Sequence, residues 1–232
     1  MNRLVRFSLI LLPLFLSSCR TLPPNPEAVA RVKVAYEAEP SVPYEARQSM
    51  VMEFSPHWWW PTLRMTVLGY SRVNPKTGDY AVVCLSPLGV KLFDVARTNG
   101  QTTARISLPV PGGQQEAEKA IGDDISRLYF DMTPAPGATV TQKGGRLVFW
   151  WRDGKDWNEY EYDILSTRLV RKAACLDGSL STLVFGDYRK LPCGTYPLAM
   201  KLTNSKNRYS LTIRNLDIRA ARFDQYPITV NQ

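Results

Sequence analysis

Histidine is nearly absent from this chain: His57 is the only one in 232 residues. A histidine-based triad and a multi-histidine metal site therefore have almost no material to build from. Cysteine is scarce as well. Cys19, Cys84, Cys175 and Cys193 lack the paired spacing of a zinc ribbon. There is no H-E-x-x-H, no phosphate-binding G-x-x-x-x-G-K and no G-x-G-x-x-G, and Gly178-Ser179-Leu180-Ser181 lacks the second glycine of a nucleophile elbow. The longest apolar stretch, Leu4 to Leu16, is broken by Ser8 and Pro13 and is too short to span hydrocarbon, which takes about 20 residues. Acids are outnumbered by bases, 21 to 29, for a net charge of +8. That excess suits nucleic acid, anionic lipid or plain solubility, and the count does not choose among them. Asp123-Asp124 and the acids of Asp153 to Asp156 are paired acids, read as solvated carboxylates on a helix surface and in a turn.

What is present is a globular composition. Hydrophobic residues make up 44%, aromatics 11% and charged residues 22%, enough for one substantial core and unlike a disordered or collagen-like chain.

The N-terminus has a positive start (Arg3, Arg6) followed by the short apolar run, which reads as a secretory signal rather than a membrane helix. Its end, Leu16-Ser17-Ser18-Cys19, resembles a bacterial lipobox. The resemblance implies removal of residues 1–18, acylation of Cys19 with fatty-acid groups such as palmitate, and anchoring in membrane lipid. Arg20 stands where an inner-membrane retention signal would place Asp, so the implied destination is the outer membrane, on its periplasmic face. Loss of Arg3 and Arg6 lowers the charge to +6. Outside the cytoplasm the expected counterpart of that charge is anionic membrane surface or water, with no nucleic acid. An oxidising compartment favours a disulfide, and Cys175–Cys193, flanking a turn-and-strand unit, is the preferred pair. Closing that loop would contribute about 3 kcal/mol. Cys84, in Ala81-Val82-Val83-Cys84-Leu85, then reads as a buried thiol.

The expected organisation is a signal peptide (1–18), a lipid anchor and tether (19–47) and a single domain (48–232). Residues 27–46 hold a weak helical pattern ended by Pro40 and Pro43. From Gln48 the period becomes two, with strands expected to Phe54, over 62–73, 80–85, 90–96 and 101–108. Ala117, Ile121, Ile125, Leu128, Tyr129 and Met132 recur at three and four, which predicts a helix over 114–130. Strands resume at 138–142, 146–152, 159–165, 168–175, 183–188, 197–203 and 208–213. Phe149-Trp150-Trp151 reads as a strand packed on both faces. A sheet of this size must curl, so the expected fold is mainly β: an incomplete antiparallel barrel of about 11 strands. Ile121, Ile125, Leu128 and Tyr129 form a helical lid over its apolar cavity.

Four segments in order resemble LolA and LolB, the outer-membrane lipoprotein carrier and receptor, and more closely a LolB-like group of proteobacterial lipoproteins. They are Val82 to Phe93 with its Ser86-Pro87-Leu88-Gly89 turn, Asp123 to Phe130, Phe185-Gly186-Asp187-Tyr188, and the hairpin of Pro197–Thr203 with Arg208–Ile213. The resemblance implies an open barrel with a lid over a cavity that receives acyl chains. By position, Leu88 matches a leucine that touches the membrane in that family; a buried turn leucine is the alternative. The block His57-Trp58-Trp59-Trp60 departs from the family pattern. Trp58, Trp59 and Trp60 suit a membrane interface, or equally a cavity wall.

The expectation is a non-enzymatic lipoprotein without cofactor or metal. It binds acyl chains, of a lipoprotein or another hydrophobic ligand, in transfer or transport. The alternative is a structural or assembly lipoprotein docking a protein partner of the cell envelope.

Overall fold

In the computed structural model the described residues are 23–37, 42–55, 61–107, 114–206 and 208–221. The proposed signal peptide, Cys19, His57 and the Trp58, Trp59, Trp60 block lie outside them.

Helix α1 (Pro26–Glu37) begins on Asn25. The Asn25 side-chain oxygen accepts a hydrogen bond from Glu27 N–H at 2.9 Å, and Pro26 fills the first helical position, where a missing N–H costs nothing. A first meander follows: β1 (Tyr44–Phe54), β2 (Leu63–Asn74), β3 (Asp79–Leu85), β4 (Lys91–Thr98) and β5 (Gln101–Ile106). Helix α2 (Gln114–Tyr129) leads to the second meander. It consists of β6 (Thr139–Lys143), β7 (Arg146–Asp153), β8 (Asp156–Asp163), β9 (Leu169–Leu176), β10 (Ser179–Leu191), β11 (Gly194–Asn204) and β12 (Tyr209–Ala220).

The two meanders join in one sheet of order β5-β4-β3-β2-β1-β12-β11-β10-β9-β8-β7-β6. The seam is β1 against β12, running antiparallel from Tyr44 opposite Ala220 to Phe54 opposite Tyr209. Strands β5 and β6 are the outer edges, so the barrel is open along one side. This is the expected incomplete barrel, with twelve strands among the described residues.

Alternation puts one face inside. On β1, Tyr44, Ala46, Gln48 and Met50 are buried in turn, and Val67, Cys84, Leu202 and Ile213 face them from neighbouring strands. Both helices cover this concave face. Ile125 and Leu128 of α2 are buried beside Val95 and Tyr80, and Phe130 lies 5.8 Å ring to ring from Tyr80. On α1, Ala28 and Val32 are buried, and Tyr36 packs against Phe149 and Tyr162 at 6.1 and 5.7 Å. The segment read as a tether thus contributes a helix to the core, and β1 begins four residues before Gln48.

Lys172 sits inside with a nearly buried side chain. It pairs with the Asp131 carboxylate, donates to the Asp131 carbonyl at 2.6 Å and lies 5.2 Å from the centre of the Tyr160 ring. The Tyr160 hydroxyl donates to Asp131 Oδ1 at 2.6 Å and the Tyr162 hydroxyl to the Met132 carbonyl at 2.9 Å. These bonds fasten the chain leaving α2 to β8 and β9, at the cost of desolvating a charge that only its pairing offsets.

Three expectations are corrected. Cys175 and Cys193 are not bonded; both are free thiols, as is Cys84. Cys175 pairs with Leu180 near one end of β10, whereas Cys193 lies in the turn beyond its other end. A 13-residue strand at about 3.3 Å per residue separates them far beyond the ~7 Å Cα limit of a disulfide. Trp150 is 42% exposed on the outer face, so β7 packs only inward, through Phe149 and through Trp151 stacked on Tyr160 at 5.1 Å. Asp124 is not a solvated carboxylate, for reasons given below. Cys84 is fully buried, its Sγ 3.7 Å from Met50 Sδ, and burial pushes the thiol up to about 12.

Candidate functional site

Among the described residues the sheet divides between two neighbouring strands that both run on. Strands β11 and β12 pair from Asn204 opposite Tyr209 down to Ala199 opposite Arg214, and there the ladder stops. Below it, β11 stays with β10 as far as Gly194, while β12 stays with β1 as far as Ala220. Pro197 stands just below the last pair, and it has no N–H to offer a ladder. The register also shifts between Arg47 and Gln48 opposite β12, leaving Leu216 exposed. Such a bulge bends the strand that carries it.

Asn215 bridges the split. Its Nδ2 donates to the Pro197 carbonyl at 2.7 Å, and its Oδ1 accepts from Gln48 Nε2 at 2.8 Å. Gln48, completely buried, also donates to the Tyr129 hydroxyl at 2.8 Å. A hydrogen-bonded chain thus runs from the lid helix through β1 to the divided strands. Burial pushes the Tyr129 hydroxyl up to about 12, so it stays a donor or acceptor and never an anion at ordinary pH.

A cavity of about 220 Å³ lies at this split. Tyr44, Tyr129, Phe130, Tyr188 and Tyr196 supply aromatic walls, and Met200 and Leu128 part of the apolar remainder. Tyr44 and Tyr196 face each other across the divided strands at 4.6 Å. The tyrosine polar ends turn into protein: Tyr188 donates to the Leu169 carbonyl at 2.6 Å and Tyr196 to the Cys193 carbonyl at 2.9 Å. None of the lining residues is charged. Satisfied hydroxyls leave ring faces toward the space, which suits an apolar occupant and offers water little.

Among the residues expected at the site, Leu128 and Tyr129 line the cavity, while Ile121 and Ile125 pack in the main core. Leu88 lies elsewhere. The Gly89 N–H bonds the Ser86 carbonyl at 2.9 Å, and Ser86 N–H bonds the Val90 carbonyl at 2.8 Å. Gly89 takes φ +79°, which a side chain would resist. Leu88 is held at the tip, 92% exposed, so it is not a buried turn leucine. That hairpin joins the end of β3 to the start of β4, at the barrel end opposite the cavity.

Tyr44, Gln48, Tyr188, Tyr196 and Asn215 are contributions that reading the sequence missed. The signal for one of them was present. Tyr44-Glu45-Ala46-Arg47 already alternates, but the weak helical pattern over 27–46 placed the boundary too late.

On the other flank of α2, the Tyr209 hydroxyl bonds the Asp124 carboxylate, with Arg127 Nη1 at 3.2 Å. Burial pushes the Asp124 carboxyl up to about 7, overriding the lowering effect of Arg127. Among the described residues no three His, Cys, Asp or Glu side chains gather as metal ligands, and no helix is long and apolar enough to cross a membrane.

Comparison with known proteins places the fold. No protein-family model matches the chain, and no curated protein matches it in sequence. Among solved structures it resembles a LolA superfamily protein from Nitrosomonas europaea, with a TM-score of 0.53 and 12% identity over 84% of this chain and 94% of that one. It is also similar to a putative outer membrane lipoprotein-sorting protein domain from Vibrio parahaemolyticus, with a TM-score of 0.47 and 15% identity over 85% and 92% of the two chains. The chain has a LolA/LolB-like fold.

Asp124 yields a test with a definite sign. Its native pKa lies above the unfolded value near 3.8, so its contribution to stability is complete below about pH 4 and is lost as pH rises through about 7. Asp124→Asn removes that dependence. From pH 4 to pH 8 its stability relative to the native chain should rise by up to ~4 kcal/mol, at roughly 1.4 kcal/mol per pH unit. Urea unfolding across that range reads the difference, and a flat difference would contradict a protonated Asp124.

Proposed function

We propose that this chain is a non-catalytic lipoprotein of the cell envelope that binds an acyl chain, or a similar apolar ligand, in the cavity at the β11–β12 split. The observation that carries the reading is the uncharged aromatic lining, with the polar ends of Tyr129, Tyr188 and Tyr196 turned into protein. Burial of apolar chain supplies the driving force, near 0.8 kcal/mol per methylene.

The volume sets a condition on how binding proceeds. About 220 Å³ is below the ~300–1,000 Å³ of sites for drug-sized ligands, so a long chain needs further space. The space is available if α2 moves off the concave face, which breaks the Tyr129–Gln48 hydrogen bond and loosens the Asn215 bridge. The lid helix and the split are thereby one gate.

The lipobox-like Leu16 to Cys19 supports anchoring at Cys19, and Arg20 supports the outer membrane, on its periplasmic face. The exposed Leu88, opposite the cavity end, supports a second contact with lipid, to which Trp58, Trp59 and Trp60 are proposed to add. The acyl groups of a lipoprotein fit the cavity as cargo, and the fold similarity is consistent with transfer between membranes.

Two experiments test this reading. A fluorescent fatty acid mixed with the purified chain should brighten on uptake. Met200→Trp, which fills the cavity at a stability cost of about 1–3 kcal/mol, should weaken uptake at least tenfold while circular dichroism shows the fold retained. No uptake by the native chain, or equal uptake by a folded Met200→Trp variant, contradicts the cavity site. Cys19→Ala should move the chain from the membrane fraction to the soluble fraction; continued membrane retention rules out the lipid anchor.

A further inference from the structure

We propose that the outer face of the barrel, behind the split, is a docking groove for an extended acidic segment of a partner protein, with Arg47 as its central contact. Recognition of such a partner does not depend on what fills the cavity.

A groove of about 520 Å³ lies across the outward side of β12, β1, β2 and β3. Two cross-strand rows of outward side chains form it. In one row Glu45 stands between Arg219 of β12 and Arg72 of β2, and in the next Arg47 stands between Asp217 and Tyr70. Ala81 and Val83 of β3 close the far side, opposite Arg72 and Tyr70. Ala46 and Ser71 also border the groove. Their side chains are buried on the inner face, so what they contribute is backbone. The recess therefore has backbone and small residues beneath it and long side chains around it. An extended chain can lie in such a recess, whereas a flat lipid surface meets only its walls.

The charges in it are unequal, with three guanidiniums against two carboxylates. Glu45 is already committed. It accepts from Arg72 Nη2 at 3.1 Å and from Arg219 Nε. Burial by itself would raise its carboxyl, yet the two guanidiniums hold it below the usual range. Arg47 is exposed and makes no ion pair or side-chain hydrogen bond among the described residues. The same is true of Asp217 opposite it and of Arg214, exposed one outward row further along β12. Two uncommitted guanidiniums thus face one uncommitted carboxylate, and an acidic chain supplies the missing charge. Arginine meets carboxylates in paired hydrogen bonds, and the half-exposed Tyr70 adds a ring beside Arg47.

The bulge lies at the same place. The register shift beside Arg47 leaves Leu216 exposed, and bulges re-aim the side chains around them. Arg47 directly precedes Gln48, and Asp217 follows Asn215 by two residues. A partner in the groove is therefore seated on the two strands that carry the hydrogen bonds to the lid.

Fluorescence anisotropy of a labelled eight-residue peptide of alternating Glu and Thr, titrated with the full chain, tests the proposal. Alternate residues of an extended chain face one way, so its glutamates reach the groove together. Binding should be measurable below about 1 mM and should weaken as salt rises, and a peptide of alternating Lys and Thr should not bind. Arg47→Glu should weaken binding about tenfold or more, the loss expected of a charge-assisted hydrogen bond, and Arg47→Gln should weaken it in the same direction. Lys119→Glu makes the same charge change at an exposed position of α2 and should leave binding unchanged.

No binding of the acidic peptide by the native chain overturns the acidic partner, and this arm needs no variant to fold. Undiminished binding by folded Arg47→Gln overturns the groove as the docking place. An equal loss in Lys119→Glu means that overall charge, not a site, attracts the peptide, and it overturns the groove as well. Arg47-dependent binding to phosphatidylglycerol vesicles, without binding to the peptide, overturns the protein partner and makes this face a lipid contact.

Discussion

The pairing of β1 with β12 turns two meanders into one sheet. Each meander alone would present an apolar face it could not cover. With β1 paired along its whole length to β2 on one side and β12 on the other, the two faces become a single concave wall, and two helices suffice to cover it. The same pairing explains the cavity. Below Ala199 and Arg214, β12 continues with β1 and β11 continues with β10, so the strands part. Pro197 sits at the parting point without a ladder donor, and Asn215 satisfies its carbonyl instead. The site is thus a consequence of how the sheet is joined.

Polar groups inside the barrel follow the same geometry. Gln48 is the inward residue of β1 nearest the split, and its amide ties Tyr129 of the lid to Asn215. Lys172 and Tyr160 do the corresponding work just beyond the same end of the lid, holding Asp131. Half-satisfied buried networks are costly, and a lid held by satisfied ones has a definite closed position from which to open. The charged groups near the cavity are kept to its edge, which leaves an apolar interior with a polar rim.

Much of the fold was legible in the chain. Alternation from Met50 onward, the Gly-containing turns and the three-four spacing from Ala117 to Met132 each report a local preference that the sheet and α2 obey. The misses were non-local. Tyr44 to Arg47 alternates as well as any strand, but its partner strand ends 176 residues later at Ala220, and only that pairing makes it part of the sheet. Cys175 and Cys193 are near in sequence and far apart in space, because the length of β10 lies between them. Asp124 looks solvated beside Asp123; Tyr209, 85 positions away, is what covers it. At the site, the aromatic residues were visible as composition, while the split that gathers them depends on one proline and a shifted register. Leu128 and Tyr129 were found because helical spacing reports which face is inward.

The claim on which the account turns is that an apolar chain occupies the space at the divided strands. Native mass spectrometry of the full chain, purified from its own cells under gentle detergent, measures this directly. The account predicts peaks heavier than the chain by the mass of an acyl-bearing ligand, which disappear in Met200→Trp. A native chain that flies only at its own mass, or an adduct that Met200→Trp retains in full, would contradict it.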